Sequence, residues 1–383
     1  MPSPRAPGSA KSKRSWLSGE RRWGPPLSSP PTSASWPGRR DLMLKEIEKV
    51  IVENGPRWEV PFFPPRALYF TKTGGSKKNP TAQPVVFLLF DQNGTAPRWV
   101  VKVSRNAETV SMLTQEYENL LYFYHRLSAP FRSTVPKPLL SREDPGRFLF
   151  VETGLKGQSL ASLVRPDEGA AHQKEIGKMV ESVLAWLLQF QRETQEGTVE
   201  ITEAWIEEEV KGPIAQYRAL YPTDPPEERF LEDHLKGWEE WTRTAIPLTG
   251  HHGDFWTGNM LTDGQSISIC DWSFSQKKGP PFDDFFFFLS SLPVGQEEGD
   301  PIRSFENLFF KNHWFHRQVR DSLARFFFQW ELSPRLFSQL FPLFLIKLSI
   351  RESKQYHLHA LRNPLWRERL RYLIRNRSRL MEI

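Results

Sequence analysis

The sequence has a single cysteine, Cys270, among its 383 residues. One cysteine cannot form an intramolecular disulfide, so small disulfide-stabilised folds are excluded and a reducing compartment is indicated. Long apolar runs are also missing, because no segment approaches the roughly 18 apolar residues of a membrane span. The nearest one, residues 336–346, contains Pro342 and is followed by Lys347. We therefore expect a cytoplasmic chain without a transmembrane segment.

The net charge of +6 is unevenly distributed along the chain. Residues 1–40 carry a net charge of +7 and residues 362–383 a net charge of +5, which leaves −6 for residues 41–361. A nucleic-acid-binding protein needs a basic patch or groove on its folded part. The distribution therefore predicts no nucleic-acid partner.

The first forty residues differ in composition from the rest. Residues 1–40 are rich in Pro, Ser, Gly and Arg and poor in aliphatic side chains. Such a segment cannot bury enough apolar surface to offset the entropy of ordering, so we interpret it as a disordered tail. One alternative is a targeting presequence, although the proline pairs at 25–26 and 30–31 would break its helix. Another is a misassigned start, with Met43 as the true first residue.

The remaining chain shows two kinds of pattern. After a short helix over residues 42–53, three strand-like runs separated by turn residues predict an antiparallel meander at residues 67–71, 84–91 and 98–104. A helix is predicted over residues 107–127 and a continuous apolar strand over residues 148–152. Beyond Gly154 the pattern is mostly helical. We therefore predict an α+β fold with an N-lobe over residues 41–153 and a larger helical C-lobe over residues 154–383.

The most informative segment runs from His252 to Asp271. Asp263 and Gly264 lie between two strand-like runs and predict a β-hairpin. A hairpin returns its second strand to the level where the first begins, which brings Asn259 close to Asp271. Amide and carboxylate oxygens suit Mg²⁺, whose coordination is completed by nucleotide phosphates and water. Asp254, five residues before Asn259, supplies a second carboxylate that is placed to orient a substrate hydroxyl and accept its proton.

This segment resembles the catalytic loop of the aminoglycoside phosphotransferases, a family in the wider superfamily of choline kinases and protein kinases. The family loop reads His-Gly-Asp, four variable residues and Asn, then a hairpin and Asp-Trp or Asp-Phe. It matches His252, Asp254, Asn259, Asp271 and Trp272. The resemblance implies a protein-kinase-like fold, ATP or GTP as phosphoryl donor, Asp254 as catalytic base, and Asn259 and Asp271 as magnesium ligands. No Ala-Pro-Glu segment follows Asp271, which disfavours a protein kinase.

The N-lobe contains a candidate phosphate-binding lysine. Lys102 lies between Val101 and Val103 in a predicted strand, so its side chain points to the opposite face from theirs. By the resemblance, Lys102 contacts nucleotide phosphates and pairs with a glutamate of the next helix. On a helical wheel Glu116 flanks the apolar face, whereas Glu118 lies nearly opposite, so we predict Glu116 as the partner. A solvent-facing lysine is the alternative.

Two further segments are candidate nucleotide contacts. The loop at residues 71–78 has two glycines but no Gly-x-Gly-x-x-Gly, so its amides and Ser76 either cradle phosphates or form an ordinary hairpin loop. The connector that contains Glu152 and Thr153 resembles the family's hinge, where backbone groups bind adenine, and an ordinary linker is the alternative. Asp284 resembles the aspartate that supports the family's active-site loops. For Asp283 or Asp284 we favour a helix N-cap role over a catalytic one.

The sequence thus predicts a magnesium- and ATP-dependent, or GTP-dependent, phosphotransferase that acts on a hydroxyl of an aminoglycoside-, choline- or sugar-like small molecule. The alternative is a kinase-like nucleotide-binding module with weak or no activity. Residues 200–240 carry a net charge of −8, which would attract a cationic acceptor by electrostatic steering. Solvated helix faces are the alternative explanation of these acidic residues.

Overall fold

The computed structural model of the chain describes residues 37–58, 67–70, 84–90, 96–144, 147–164, 169–292, 300–311, 313–356 and 364–381. The predicted tail at residues 1–40 and the loop at residues 71–78 thus lie almost entirely outside the described residues. Helix α1 spans Pro37–Asn54, so it begins earlier than the predicted helix and includes the last four residues of the predicted tail.

A five-stranded antiparallel sheet forms the N-lobe. Its strands are β1 (Ala67–Phe70), β2 (Val85–Phe90), β3 (Pro97–Val103), β4 (Pro138–Asp144) and β5 (Arg147–Thr153), in the order β1-β2-β3-β5-β4. The predicted meander of the first three strands is confirmed, with Val86 opposite Lys102 and Phe87 opposite Val101. Strand β4 was not predicted. It begins at Pro138 and ends in charged residues, a composition typical of loops.

Two helices cover the two faces of this sheet. On one face, Val101 and Val103 of β3 pack with Ile47 and Ile51 of α1 in one apolar cluster. On the other face lies α2 (Ala107–Arg126), whose start is fixed by a capping box between Asn106 and Thr109. Because strand side chains alternate between faces, Lys102 points toward α2.

The two lobes are joined at the end of β5. The amide of Gly154 donates to the carbonyl oxygen of Arg98 at 2.8 Å. A side chain at position 154 would meet the carbonyl oxygen of Pro97 at 1.9 Å, so only glycine allows this close approach. Strand β6 (Gln158–Ser159) follows and pairs with a later hairpin. The chain thus crosses directly from the sheet to the segment that carries the candidate site.

The C-lobe is mostly helical. The short helix α3 (Ala129–Arg132) lies between α2 and β4, before the C-lobe begins. The C-lobe helices are α4 (Leu160–Leu163), α5 (Gly169–Thr194), α6 (Glu203–Ile206), α7 (Gly212–Leu220), α8 (Pro225–Gly237), α9 (Phe282–Ser291), α10 (Pro301–Phe309), α11 (Trp314–Gln329), α12 (Phe337–Tyr356) and α13 (Leu365–Arg375). A π-helical turn, Glu207–Lys211, joins α6 to α7. Short strands are β7 (Thr198–Glu200), β8 (Ala245–Pro247), β9 (Thr249–His251), β10 (Met260–Thr262), β11 (Ile267–Ile269) and β12 (Gln276–Gly279).

Phenylalanine side chains fill the core of this lobe. The run at residues 285–288 in α9 is buried, and Phe286 packs against Phe337, Phe341 and Phe344. The run is therefore part of the core. Among the described helices, none is long and apolar enough to cross a membrane.

Candidate active site

A loop and a hairpin form the centre of the candidate site. The loop leaves β9 and ends in a single helical turn, Thr257–Asn259, after which β10 and β11 pair with Met260 opposite Ile269. The carboxylate of Asp263 closes the turn by accepting from the amides of Gln265 and Ser266, at 3.0 and 2.8 Å. The predicted hairpin is therefore confirmed. It brings the amide of Cys270 within 2.9 Å of the carbonyl oxygen of Asn259, so Asp271 follows directly beside Asn259.

Asp254 and Asn259 are in direct contact. The side-chain amide of Asn259 donates to Oδ2 of Asp254 at 2.9 Å and to the carbonyl oxygen of Asp254 at 3.0 Å. Burial raises the pKa of Asp254, an effect that the guanidinium of Arg351 opposes and the nearby carboxylate of Asp271 strengthens. Because the nitrogen of the Asn259 amide faces Asp254, its oxygen remains as a ligand atom for a cation.

Asp271 lies at the open end of the hairpin. Its side chain is exposed, and its backbone φ of +66° falls in the left-handed region, which aspartate tolerates better than most residues. The hydroxyl of Ser273 donates to Oδ1 of Asp271 at 2.5 Å and approaches Oε2 of Glu116 at 3.4 Å. A short hydroxyl bridge thus connects the hairpin to helix α2.

A buried lysine lies between two carboxylates on the N-lobe side. Lys102 donates to Oε1 of Glu116, and its Nζ is 3.3 Å from Oε1 of Glu152. The side chains of Lys102, Glu116 and Glu152 are 6%, 0% and 3% exposed. The predicted pairing of Lys102 with Glu116 is present, and Glu118 is exposed, as expected from the helical wheel.

The side chains of this cluster shift one another's pKa values. Burial alone would lower the pKa of Lys102, but the carboxylates of Glu116, Glu152 and Asp271 raise it above its ordinary value. Burial raises the pKa of Glu116 and of Glu152, and the ammonium of Lys102 opposes both effects. Lys102 therefore stays cationic next to Asp271, where a polyphosphate would need a positive charge.

Glu152 was predicted for its place in the connector, and its side chain has a further role. Strand β5 pairs with β3, with Phe150 opposite Lys102, so Glu152 lies two residues further on the same face. A glutamate at the end of an otherwise apolar strand was the signal that could have identified this contact. Thr153 contacts residue 137 instead, because its amide donates to the carbonyl oxygen of Lys137 at 3.0 Å and its hydroxyl accepts from the Lys137 amide at 2.8 Å. Ser76 lies outside the described residues.

Helix α9 holds the loop from behind. The carboxylate of Asp284 accepts from the amides of His252 and Gly253, at 2.7 and 2.8 Å. The predicted N-cap role is wrong for Asp284, because Pro281 occupies the N-cap position and no side chain caps this helix. His252 is buried, contacts the carbonyl oxygen of Cys270 at 3.0 Å and packs edge-on against Trp272. It therefore holds the loop against the end of the hairpin.

Arg351 of α12 was not predicted at the site. Its guanidinium lies 3.1 Å from Oδ1 of Asp254, donates to the carbonyl oxygen of Gly253 and stacks on the ring of Phe274 at 4.6 Å. These partners are 77 to 98 residues away in sequence, so no local spacing indicates the contact. The one sequence feature that could have indicated this contact is the position of Arg351 directly after the apolar run of α12.

The family model described as the phosphotransferase enzyme family (APH) matches residues 81–318, more than half of the chain. The chain belongs to this family. The predicted resemblance and the predicted enzyme class are therefore confirmed. The matched segment of this phosphotransferase contains every predicted site residue except Ser76, whereas Arg351 lies outside it.

Solved structures share the fold of this phosphotransferase at low sequence identity. The GDP complex of an aminoglycoside 2'-phosphotransferase-IIIa is 12% identical, with a TM-score of 0.53, over 87% of this chain and 97% of that chain. A thermostable mutant of the aminoglycoside phosphotransferase APH(4)-Ia, in complex with ADP and hygromycin B, is 15% identical, with a TM-score of 0.52, over 86% of this chain and 98% of that chain.

A Ralstonia eutropha protein described as a candidate aminoglycoside phosphotransferase is 10% identical to this phosphotransferase, with a TM-score of 0.56, over 88% of this chain and 99% of that chain. No curated protein sequence matches the chain. At such identities the likeness concerns the fold, and it confirms the predicted α+β, protein-kinase-like architecture.

Proposed function

We propose that this phosphotransferase transfers the γ-phosphoryl group of a magnesium-bound nucleoside triphosphate to a hydroxyl of a small molecule. The observation that carries the proposal is the grouping of Asp254, Asn259 and Asp271 at one end of a hairpin, with Lys102 close enough for Asp271 to affect its pKa. These groups are what phosphoryl transfer requires: a base, cation ligands and a positive charge for phosphates.

The nucleotide site is proposed on the N-lobe side. Lys102, held by Glu116, would contact the phosphates, and the connector at Glu152 and Thr153 would lie along the base. Ser76 stays a predicted phosphate contact. Support for nucleotide binding comes from similar folds, since one structure is a GDP complex and another contains ADP. ATP and GTP are both consistent with these two complexes.

Asn259 and Asp271 would hold Mg²⁺. Among the described residues, no group of three or more His, Cys, Asp or Glu side chains could hold a metal ion alone. Mg²⁺ in nucleotide-dependent enzymes is bound by one or two protein ligands, with phosphate oxygens and water completing the octahedron. The amide oxygen of Asn259 and the exposed carboxylate of Asp271 fit that donor set. When bound, the ion would neutralise charge that develops on the phosphate oxygens.

Asp254 would act as the base in the transfer step. The acceptor hydroxyl oxygen forms a bond to the γ-phosphorus, the bond from that phosphorus to the β–γ bridging oxygen breaks, and the nucleoside diphosphate leaves. The hydroxyl proton goes to the carboxylate of Asp254, which Asn259 and Arg351 hold in place. Its burial raises its pKa, which makes it a better proton acceptor than a hydrated aspartate.

The acceptor would approach from the C-lobe, the part that begins at residue 154. A small molecule is proposed because the central residues 41–361 are acidic, which disfavours a nucleic-acid substrate. A cytoplasmic location stays a prediction, as does the disordered tail at residues 1–40.

The test is the turnover of Asp254→Asn. A panel of hydroxylated metabolites and antibiotics is first screened for release of nucleoside diphosphate and for a phosphorylated product. With the best acceptor, Asp254→Asn should lower kcat by roughly 10²- to 10⁴-fold while the Kd for the nucleotide stays within about twofold. Asp321→Asn, an exposed aspartate on α11, is the matched control and should leave both values unchanged.

Unchanged turnover in folded Asp254→Asn would contradict the proposed role. Nucleotide binding without product from any acceptor would favour the alternative, a kinase-like module that binds nucleotide but does not catalyse transfer.

A further inference from the structure

One face of helix α12 carries three cations. Lys347, Arg351 and Lys354 follow one another at spacings of four and three residues, which places them on one side of a helix. With Ile350 and Glu108 they line a cavity of about 410 Å³. Much of the rest of α12, including Phe341, Phe344 and Leu345, is buried in the core. Lys347, Arg351 and Lys354 therefore form a cationic stripe along a helix that is otherwise largely buried.

One lining residue of this cavity also contacts the proposed base. Arg351, one of its lining residues, lies 3.1 Å from Oδ1 of Asp254 and donates to the carbonyl oxygen of Gly253. Glu108 comes from the first turn of α2, so the cavity lies where the N-lobe helix meets the C-lobe. Arg351 therefore connects the cavity with Asp254.

The cations of the stripe are only partly neutralised. Lys347 pairs with Glu209 at 2.6 Å, and Arg351 pairs with Asp254. Lys354 is exposed and forms no ion pair with any residue that the structure describes. The two Arg351 hydrogen bonds use two of the five donors of a guanidinium. Donors therefore remain for a ligand group between Arg351 and Lys354.

Several acidic residues between 200 and 240 form ion pairs with basic residues of the same chain. Asp224 pairs with Arg371 at 2.6 Å, Glu227 lies 3.6 Å from Arg367, and Asp233 lies 3.5 Å from Arg377. Glu228 pairs with Arg218 at 2.7 Å within the same segment. The pair with Arg218 is already included in the net charge of −8, whereas Arg367, Arg371 and Arg377 near the C-terminus come from outside the segment. The negative charge that suggested a cationic acceptor is thus partly compensated inside the molecule.

We propose that the acceptor carries an anionic group, such as a carboxylate, which Arg351 and Lys354 bind while a hydroxyl of the same molecule faces Asp254. This inference rests on the proposed function and names its substrate class. The planar guanidinium of Arg351 can form two parallel hydrogen bonds to a carboxylate, and Lys354 adds a second positive charge. A cationic acceptor would meet the exposed positive charge of Lys354, although Glu108 adds one carboxylate to the cavity wall.

The test compares three probes of similar size and different charge: gluconate, glucose and glucosamine. Each is titrated calorimetrically, at low ionic strength, into the full chain saturated with AMP-PNP and Mg²⁺. Gluconate should bind at least tenfold more tightly than glucosamine, and added salt should weaken its binding. Lys354→Gln should weaken gluconate binding by roughly fivefold, and Lys354→Arg should restore it. The matched control is Lys236→Gln, an exposed lysine on α8, which should leave every affinity unchanged.

The contrary results distinguish a failure of this inference from a failure of the proposed function. Tighter binding of glucosamine, absence of saturable gluconate binding, or an unaltered gluconate affinity in folded Lys354→Gln would overturn this inference. The AMP-PNP titration that precedes the probes tests the proposed function separately. Loss of nucleotide binding in the wild-type chain would refute that function, whereas nucleotide binding without a preference for gluconate would refute the anionic acceptor alone.

Discussion

At the residue scale, the buried Lys102 cluster connects stability with function. Three ionised side chains without water are costly unless each finds a partner of opposite charge. Lys102 has two such partners, and the second, Glu152, comes from a neighbouring strand. With one carboxylate on each side, the ammonium group is fixed in position. Removal of either carboxylate should therefore affect both folding and nucleotide binding.

Glu116→Gln tests this directly. The variant keeps the shape of the side chain but removes its charge, so Lys102 is held by Glu152 alone. We expect nucleotide binding to weaken roughly tenfold and the free energy of unfolding to fall by about 2 kcal/mol. Titration with AMP-PNP and urea unfolding measure the two effects. Glu118→Gln, two residues further on the same helix and exposed, should change neither, and equal effects of both variants would contradict the assignment.

His234 gives a second residue-scale prediction, on pH. It is buried on α8, where its ring stacks on Phe230 and its Nε2 accepts from Trp238 at 3.4 Å. Burial, assisted by Arg377, lowers the pKa of His234 from 6.5 to about 3. Between these values the unfolded chain binds a proton that the folded chain does not. The stability contributed by the neutral imidazole is therefore complete above pH 6.5 and is lost as the pH falls.

At pH 5 this loss should reach about 2 kcal/mol for a histidine with an ordinary unfolded pKa. His234→Phe removes the titrating group, so its free energy of unfolding should fall less between pH 7.5 and pH 5 than that of the wild type. Urea unfolding at both pH values measures the difference. The exposed His125 supplies the control, since His125→Phe should keep the wild-type pH dependence. Parallel losses in the wild type and His234→Phe would refute the prediction.

At the scale of elements, the catalytic-loop segment is held from several sides by elements distant in sequence. Asp284 of α9 binds its amides, Arg351 of α12 binds Asp254, and the backbone of Phe274 lies against Gly253. The hairpin itself is local, and it could be predicted because Asp263 and Gly264 determine the turn. The support by Asp284 was implied by the family resemblance alone. The contacts of Arg351 and Phe274 could not be predicted, since they depend on how parts of the chain that are distant in sequence pack together.

The same distinction applies to the N-lobe. The direction of the Lys102 side chain follows from the alternation of side chains along a strand. The direction of the Glu116 side chain follows from helical spacing. Both are local properties. The contact of Glu152 with Lys102 depends on the pairing of β5 with β3, and β4 has the composition of a loop. Asp284 was assigned to a cap because acidic residues are common near helix starts, a local preference that its contact with the loop overrides.

Gly253→Ala tests the fit of the loop against β12 and its preceding turn. Gly253 has a φ of +76°, and a Cβ there would lie 2.1 Å from the carbonyl oxygen of Phe274. Gly264 has a φ of +92°, with nothing within 4 Å of its would-be Cβ, so Gly264→Ala isolates the cost of the backbone conformation. We expect Gly264→Ala to lower the free energy of unfolding by about 1 kcal/mol.

We expect Gly253→Ala to lower the free energy of unfolding by about 2 kcal/mol more than Gly264→Ala does. It should also reduce turnover, because the segment that carries Asp271 must move. Urea unfolding and product formation are compared for the two variants. Similar stability and turnover in both would mean that the loop has more room than its packing against Phe274 indicates.

At the scale of the whole molecule, the charge imbalances seen in the sequence compensate each other. Residues 200–240 have a net charge of −8 and residues 362–383 a net charge of +5. Helix α13 packs beside α8, and Arg371 and Arg377 pair with Asp224 and Asp233. Two segments of opposite net charge thus contact each other. This arrangement fixes the last helix on the lobe that contains the acceptor cavity.

A double-mutant cycle on Arg371 and Asp224 measures this compensation. Asp224 also caps α8 by accepting from the amide of Glu227 at 3.0 Å, and Asn keeps that cap, so Asp224→Asn removes only the charge. With Arg371→Gln, the coupling free energy from urea unfolding should favour the native pair at low salt and should decrease in 1 M salt. The exposed pair Arg320 and Asp321, 3.4 Å apart on α11, is the matched cycle and should show almost no coupling. Coupling that is absent for Arg371 and Asp224, or that persists in high salt, would mean that apolar packing rather than charge holds α13 in place.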